Sequence, residues 1–251
     1  MSKNKTTPFI ATQQRRHNAD AEHDNKKSNI LFFGKYNCQY SLMILDHLNH
    51  LGFEVQTVLS KNRNDKLPED INWWQGDYIF CFRSYFIIPN SLLNRAKIAA
   101  INFHPAPVEF PGSGCINWAL YDNASTYGVT AHIMNEKIDN GDIIECRRFP
   151  ILKQDTVTTL LKRAHSKTYE LIIDITTELA LRGEQYLIEK ISLSNNEKWT
   201  GSARKMEEID ILQIVSPNCS KKELERVIRA TYTPDFPPEI LLFGYKFVLK
   251  L

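Results

Sequence analysis

In this 251-residue chain the residues best suited to chemistry are Asn102 and His104, in the run Ile101-Asn-Phe-His-Pro105. Side chains alternate along a strand, so positions 102 and 104 project from one side while Phe103 points into the packing. Asn offers N–H donors to an oxygen that gains negative charge, and His can accept or return a proton near neutral pH. Equally, an Asn and a His can end a strand with nothing to do but satisfy nearby backbone. Further on, Asp139-Asn-Gly-Asp142 offers a carboxylate that would orient His104 and stabilise its imidazolium. The same tetrapeptide would serve as a plain hairpin turn. Asp139, Asp142 and Glu145 fit a metal site less well, because neither the EF-hand ligand order nor a His cluster accompanies them. Cys115 is a nucleophile by residue type only, with no local context to single it out.

Two loops adjoin this chemistry. Pro105 to Gly114 carries three prolines and two glycines, which fix a rigid rim but do not spell a phosphate loop. Gly34-Lys-Tyr-Asn-Cys38 joins an apolar strand to a helix, where free N–H groups and the charge of Lys35 would attract an anion. It is not GxGxxG, so a nicotinamide cofactor has no support.

The elements that must hold these residues follow from the hydrophobic pattern. Asn29–Gly34, Phe53–Leu59, Asp77–Phe82 and Ala99–Phe103 read as strands, the first a continuous apolar run of the kind parallel sheets bury. Leu42, Leu45, Leu48 and Leu51 at helical spacing predict a helix that stops at Gly52. A short helix is expected over 89–97 and another over 115–123. Strands are expected over 128–134 and 143–149, then a long helix over 156–181. Alternating strands and helices imply an α/β domain with parallel pairing. Beyond about residue 187 short strands are expected, with a helix over 220–230, a Pro-rich loop and a final hairpin turning near Gly244. The boundaries read as a polar, disordered tail (1–28), a catalytic body (29–187) and a small C-terminal region (188–251).

Composition narrows the class. Residues 1–28 hold six basic and three acidic side chains, while the remaining 25 basic and 26 acidic residues leave the body at −1. Such a body lacks the clustered cations that nucleic acid requires. Five scattered cysteines without CxxC argue against a disulfide framework and a structural zinc. No run approaches the ~18 apolar residues of a membrane span, and no apolar leader core is seen at the N-terminus. The expectation is a cytoplasmic protein without a membrane span or a nucleic-acid partner.

Taken together, Asn102-Phe-His-Pro105, Phe110-Pro-Gly112, Gly128-Val-Thr130 and Asp139-Asn-Gly-Asp-Ile143 resemble the formyltransferase family that uses 10-formyltetrahydrofolate. The likeness covers roughly residues 29–185, with its motifs in family order. Within the family, Pro111-Gly-Ser-Gly-Cys-Ile-Asn117, Phe82-Arg-Ser-Tyr-Phe-Ile-Ile-Pro89, Trp199-Thr-Gly-Ser-Ala-Arg204 and Ile228-Arg-Ala-Thr-Tyr-Thr-Pro234 are most similar to the sugar-nucleotide N-formyltransferases. Those act on dTDP-4-amino-4,6-dideoxyglucose and related amino sugars of O-antigen and lipopolysaccharide biosynthesis.

This resemblance implies a Rossmann-like, mostly parallel sheet with a small mixed α+β C-terminal region, and a catalytic set of Asn102, His104 and Asp139. It implies that 10-formyltetrahydrofolate is the co-substrate, lying along Tyr85, Phe86 and Ile87 and along Lys137 and Ile138. A sugar-nucleotide partner would place its diphosphate at Gly34, Lys35, Tyr36 and Asn37, with Tyr232 against the base. The C-terminal helix and hairpin would form a homodimer. The short region after the α/β body differs from the larger C-terminal domain of the tRNA enzymes. Formyltetrahydrofolate hydrolysis, formylation of another amine, and silent folate or nucleotide binding are the competing expectations.

Overall fold

Apolar runs buried on both faces make the centre of the molecule, which is what parallel strands under helices require. The structure, a computed structural model, describes residues 27–250, so the expected tail at 1–28 lies almost wholly outside the described residues. β1 (Asn29–Lys35), β2 (Glu54–Ser60), β3 (Gly76–Phe82) and β4 (Ala96–His104) run parallel, and β5 (Thr126–Ile133) and β6 (Ile143–Pro150) extend the sheet antiparallel. The order is β2-β1-β3-β4-β5-β6. The helices are α1 (Gln39–His50), α2 (Asn90–Leu93), α3 (Cys115–Tyr121), α4 (Val157–Arg182), α5 (Glu184–Leu193), α6 (Glu207–Leu212) and α7 (Lys221–Thr231). A separate hairpin of β7 (Glu239–Leu242) and β8 (Tyr245–Val248) ends the chain.

Alternation along the strands divides the apolar residues between two cores. Phe32, Phe80, Ile101 and Phe103 face α1, α3, α4 and α5, meeting Leu48, Leu120, Ile172 and Leu187. Phe33, Ile79, Cys81 and Ala100 face the other way, under Ile71, Trp74, Leu92 and Leu93. Each buried Phe, Leu or Ile side chain contributes about 1.5–3 kcal/mol by leaving water. Phe103 is fully buried and packs edge-on against Phe80 at 6.1 Å, as alternation required. The long helix α4 starts at a capping box in which Thr156 and Thr159 each bond the other's backbone N–H.

Two expectations need correction. The helix expected over 89–97 is a single turn, because pairing of Gly76 with Ala96 and Tyr78 with Ala99 draws the chain into β4 from Ala96 onward. Short strands were expected after residue 187. Instead α5 continues through that position, since Leu187 and Ile191, four residues apart, are both buried in the main core. The segment after it runs along the loop that follows β4. Thr200 N–H bonds the Val108 carbonyl, Arg204 N–H the Pro111 carbonyl, and Ser113 N–H the Arg204 carbonyl.

Candidate active site at the end of the central strand

β4 ends where the sheet changes from parallel to antiparallel, a place where open α/β sheets leave a crevice at the strand ends. Asn102 and His104 project there from the same side. Across the antiparallel pairing Asn102 faces His132 and His104 faces Thr130. Directly opposed residues share a face, so His132 joins the pair. The sequence reading missed His132, although alternation along Gly128-Val-Thr-Ala-His132 would have put it on that face.

Asp139 enters from the β5–β6 loop in the left-handed region, at φ 44°, a conformation Asp tolerates better than most residues. Two residues on, a Cβ at Gly141 would meet the Ile133 carbonyl oxygen at 1.8 Å, so only glycine lets the loop close on β5. Asp139 is buried and Asp142 exposed, which settles which carboxylate reaches the site. Asp139 Oδ2 accepts from the Gly112 N–H at 2.8 Å and lies 3.5 Å from His104 Nδ1. Its Oδ1 lies 3.3 Å from His132 Nε2 and 3.4 Å from Asn102 Nδ2. His132 Nδ1 is 3.0 Å from the Ile133 carbonyl, and Asn102 Nδ2 is 3.1 Å from His132 Nε2. Glu145 takes no part; it is ion-paired with Arg147 and Lys190.

Burial opposes a charge on His104, but the Asp139 carboxylate outweighs it, helped by Cys115, and the imidazole is pushed up to about 9. Burial also opposes the Asp139 charge. His104, His132 and the Gly112 N–H overcome it and hold the carboxyl well below the usual carboxylate range. The Asp139 carboxylate thus favours the imidazolium form of His104. Nδ1–H faces Asp139, and Nε2–H donates to the Phe110 carbonyl at 3.2 Å. Cys115 Sγ lies 3.8 Å from Nε2 and 3.2 Å from the Gly112 carbonyl. His104 Nε2 is turned to the Phe110 carbonyl and the Cys115 thiol donates to the Gly112 carbonyl, so backbone oxygens take the hydrogen bonds that a Cys–His nucleophile would share.

Trp199 closes the site from behind. Its Nε1–H donates to the Gly141 carbonyl at 2.8 Å, and its ring meets His132 edge-on at 4.9 Å. Only the fold could reveal this residue as a wall of the site, because it lies far along the chain from the residues it supports.

In front of the cluster opens a cavity of about 740 Å³, within the ~300–1,000 Å³ usual for small-molecule sites. Asn102, His104 and Asp139 line it together with Tyr85, Phe86, Ile87, Lys137, Ile138 and Lys35. Ile87 and Ile138 stand exposed at its mouth, at 82% and 62% of their surface. Gly34, Tyr36, Asn37 and Tyr232 are not among the lining residues. Gly34 is buried in β1 with Leu59 and Ser41 against it, Tyr36 and Asn37 are exposed beyond the strand, and Tyr232 ends α7.

The formyl transferase family matches residues 13–176. A methionyl-tRNA formyltransferase from Listeria welshimeri is 34% identical over 132 residues, 51% of this chain and 40% of that protein. A GDP-perosamine N-formyltransferase from Brucella melitensis is 25% identical over 167 residues, 66% of this chain and 60% of that one. The chain thus aligns with about two-fifths to three-fifths of the length of these relatives. Among solved structures, a 4-N formyltransferase from Francisella tularensis superposes with a TM-score of 0.66 at 17% identity, covering 88% of this chain and 96% of the other. An N-formyltransferase from Helicobacter canadensis, in complex with folinic acid and dTDP-3-aminofucose, gives 0.59 at 19% identity, covering 80% and 79%. At these identities the structural likeness shows the fold: a mostly parallel six-stranded α/β sheet with a small antiparallel sheet at the C-terminus.

Proposed function

The chain belongs to the formyl transferase family, and from that premise we propose that it moves a formyl group from 10-formyltetrahydrofolate to the amine of a nucleotide-linked amino-dideoxy sugar. Such a product would serve O-antigen or another surface glycan. The observation that carries this reading is the Asn102–His104–Asp139 cluster, with His104 and Asp139 buried against each other, lining one cavity of about 740 Å³. The sugar acceptor is supported by the perosamine relative and by the aminofucose complex of the Helicobacter protein.

In this reading the folate co-substrate supplies an electrophilic formyl carbon, which the neutral sugar amine attacks. The oxygen of that formyl group gains negative charge as the new C–N bond forms. Asn102 Nδ2 donates to it. The 3.4 Å contact with Asp139 is at the outer limit of a hydrogen bond, so this N–H is the one free to turn to the oxyanion. The His104 imidazolium stabilises the same charge. Asp139 fixes both side chains, while the proton lost by the amine passes to the departing folate nitrogen. The apolar edge formed by Phe86, Ile87 and Ile138, with Lys137 beside it, suits the flat folate, and Lys35 faces the acceptor. The mostly exposed C-terminal hairpin would be buried by a second copy of the chain.

One oxyanion donor is worth about 2.7–4 kcal/mol, or roughly 10²–10³ in kcat. The test is mass spectrometry of a panel of nucleotide-linked amino sugars incubated with 10-formyltetrahydrofolate, with Asn102→Ala alongside. The expected result is one formylated acceptor, with turnover lowered by roughly 10²–10³ in the variant. Wild-type turnover in Asn102→Ala would overturn the catalytic assignment. Formate release without any acceptor product would point to folate hydrolysis.

A further inference from the structure

The cavity has a second character away from the catalytic cluster. Lys35, at the end of β1, Arg63, on the loop after β2, and Arg83, just after β3, all line it. None of the three is ion-paired with a described carboxylate, whereas Arg147, Arg148, Arg163 and Arg182 all are. Lys35 Nζ lies 5.0 Å from the centre of the Tyr85 ring, and the Arg63 guanidinium 5.4 Å from it. Arg83 is held at φ 55°, a left-handed conformation uncommon for arginine, and its Nη1 donates to Cys38 Sγ at 3.2 Å. From the facing helix, Val157, Leu161 and His165 line the same wall at four-residue spacing. Burial, with the positive field of Arg83 and Lys35, pushes the His165 imidazole down to about 3. Lys35 and Arg83 thus both act on His165, Lys35 and Arg63 share the Tyr85 ring, and none of the three is tied up in an ion pair among the described residues.

Unpaired cations gathered at a cavity wall make a site for a multiply charged anion, and arginine matches phosphate oxygens with paired N–H groups. We propose that Arg63 and Arg83, with Lys35, bind the diphosphate of the acceptor and thereby set its position before the formyl donor. This rests on the sugar-nucleotide reading and moves its anion site. The β1–α1 turn contributes Lys35 alone, and Tyr85 belongs with the anion end instead of the folate side. Two arginines and a lysine favour phosphate oxygens over the singly charged carboxylates of a folate glutamate tail.

The experiment is calorimetric binding to the full chain of pyrophosphate, dTDP and GDP in one arm, and of folinic acid and its triglutamate in the other. Wild type is compared with Arg63→Gln and Arg83→Gln, and thermal melts check folding. Arg63 is exposed, so its variant reports even if Arg83→Gln fails to fold. Each substitution is expected to weaken the diphosphate probes about tenfold or more, with folinic acid unchanged and the loss largest at low salt. Unchanged diphosphate binding, or a loss confined to the triglutamate, would overturn the proposal. Formylation of the amino-sugar panel is scored separately. Diphosphate binding that needs these arginines, without product, leaves this site standing and removes the sugar acceptor. Product formed with unchanged acceptor KM in both variants removes the site and leaves the acceptor.

Discussion

His104 and Asp139 form a buried pair whose two shifts agree in direction: the imidazole raised to about 9, the carboxyl lowered. The sign follows from linkage. A raised imidazole contributes stability that is complete below its ordinary value of ~6.5 and is lost as pH rises through about 9. A depressed carboxyl contributes stability that is present above its ordinary value of ~3.9 and is lost as pH falls below it. The charged pair therefore spans the neutral range. If the imidazolium stabilises the oxyanion, kcat/KM should hold level through neutral pH and fall near pH 9. His104→Gln should keep a residual rate lower by about 10²–10⁴ and lose that alkaline limb. An unchanged limb in His104→Gln would assign the titration to another group.

Strands carry Asn102, His104 and His132, and a single loop supplies Asp139. β4 presents Asn102 and His104, β5 adds His132 by register, and the β5–β6 loop folds back to insert Asp139. That return depends on Gly141, whose missing Cβ lets the loop lie on the Ile133 carbonyl while its own carbonyl accepts from Trp199. Gly141→Ala should cost about 1–3 kcal/mol by overpacking, read by urea unfolding. Turnover should fall more than that loss of stability explains, because Asp139 is displaced with the loop. Full activity in this variant would mean that the loop has another way to close. Of these elements the N-x-H strand end and the D-x-G turn were legible in the sequence, because side-chain alternation and glycine chemistry are local. The helix over 220–230 was legible too, but the one-turn helix at 90–93 and the helices at 184–193 and 207–212 were not, because sheet pairing and core burial overrode local propensity there.

At the scale of the whole molecule, the C-terminal hairpin stands apart. Leu241, Phe243, Tyr245, Phe247 and Val248 are all exposed, Phe243 to 91%, although a two-stranded sheet is marginal without packing. Exposed apolar side chains concentrated on one hairpin mark an interaction surface, and a second copy of the chain is the partner proposed for it. Sedimentation of the full chain should show a dimer that Phe243→Ser with Phe247→Ser shifts toward monomer, with the melting of the α/β body little changed. A wild-type monomer at micromolar concentration would remove the proposal. No described helix is long and apolar enough to cross a membrane.

The sequence by itself determined the chemistry of the strand end, the α/β succession and the turn that carries the carboxylate. Each is written in neighbouring residues, through a period of two along a strand or the backbone freedom of one glycine. The tertiary structure alone decided that His132 and Trp199 complete the site. It also showed Arg63 and Arg83 facing the cavity that Gly34, Tyr36 and Asn37 do not line. Those choices depend on strand register, on crossovers between distant segments and on which side chains burial leaves unpaired, and no local pattern encodes them.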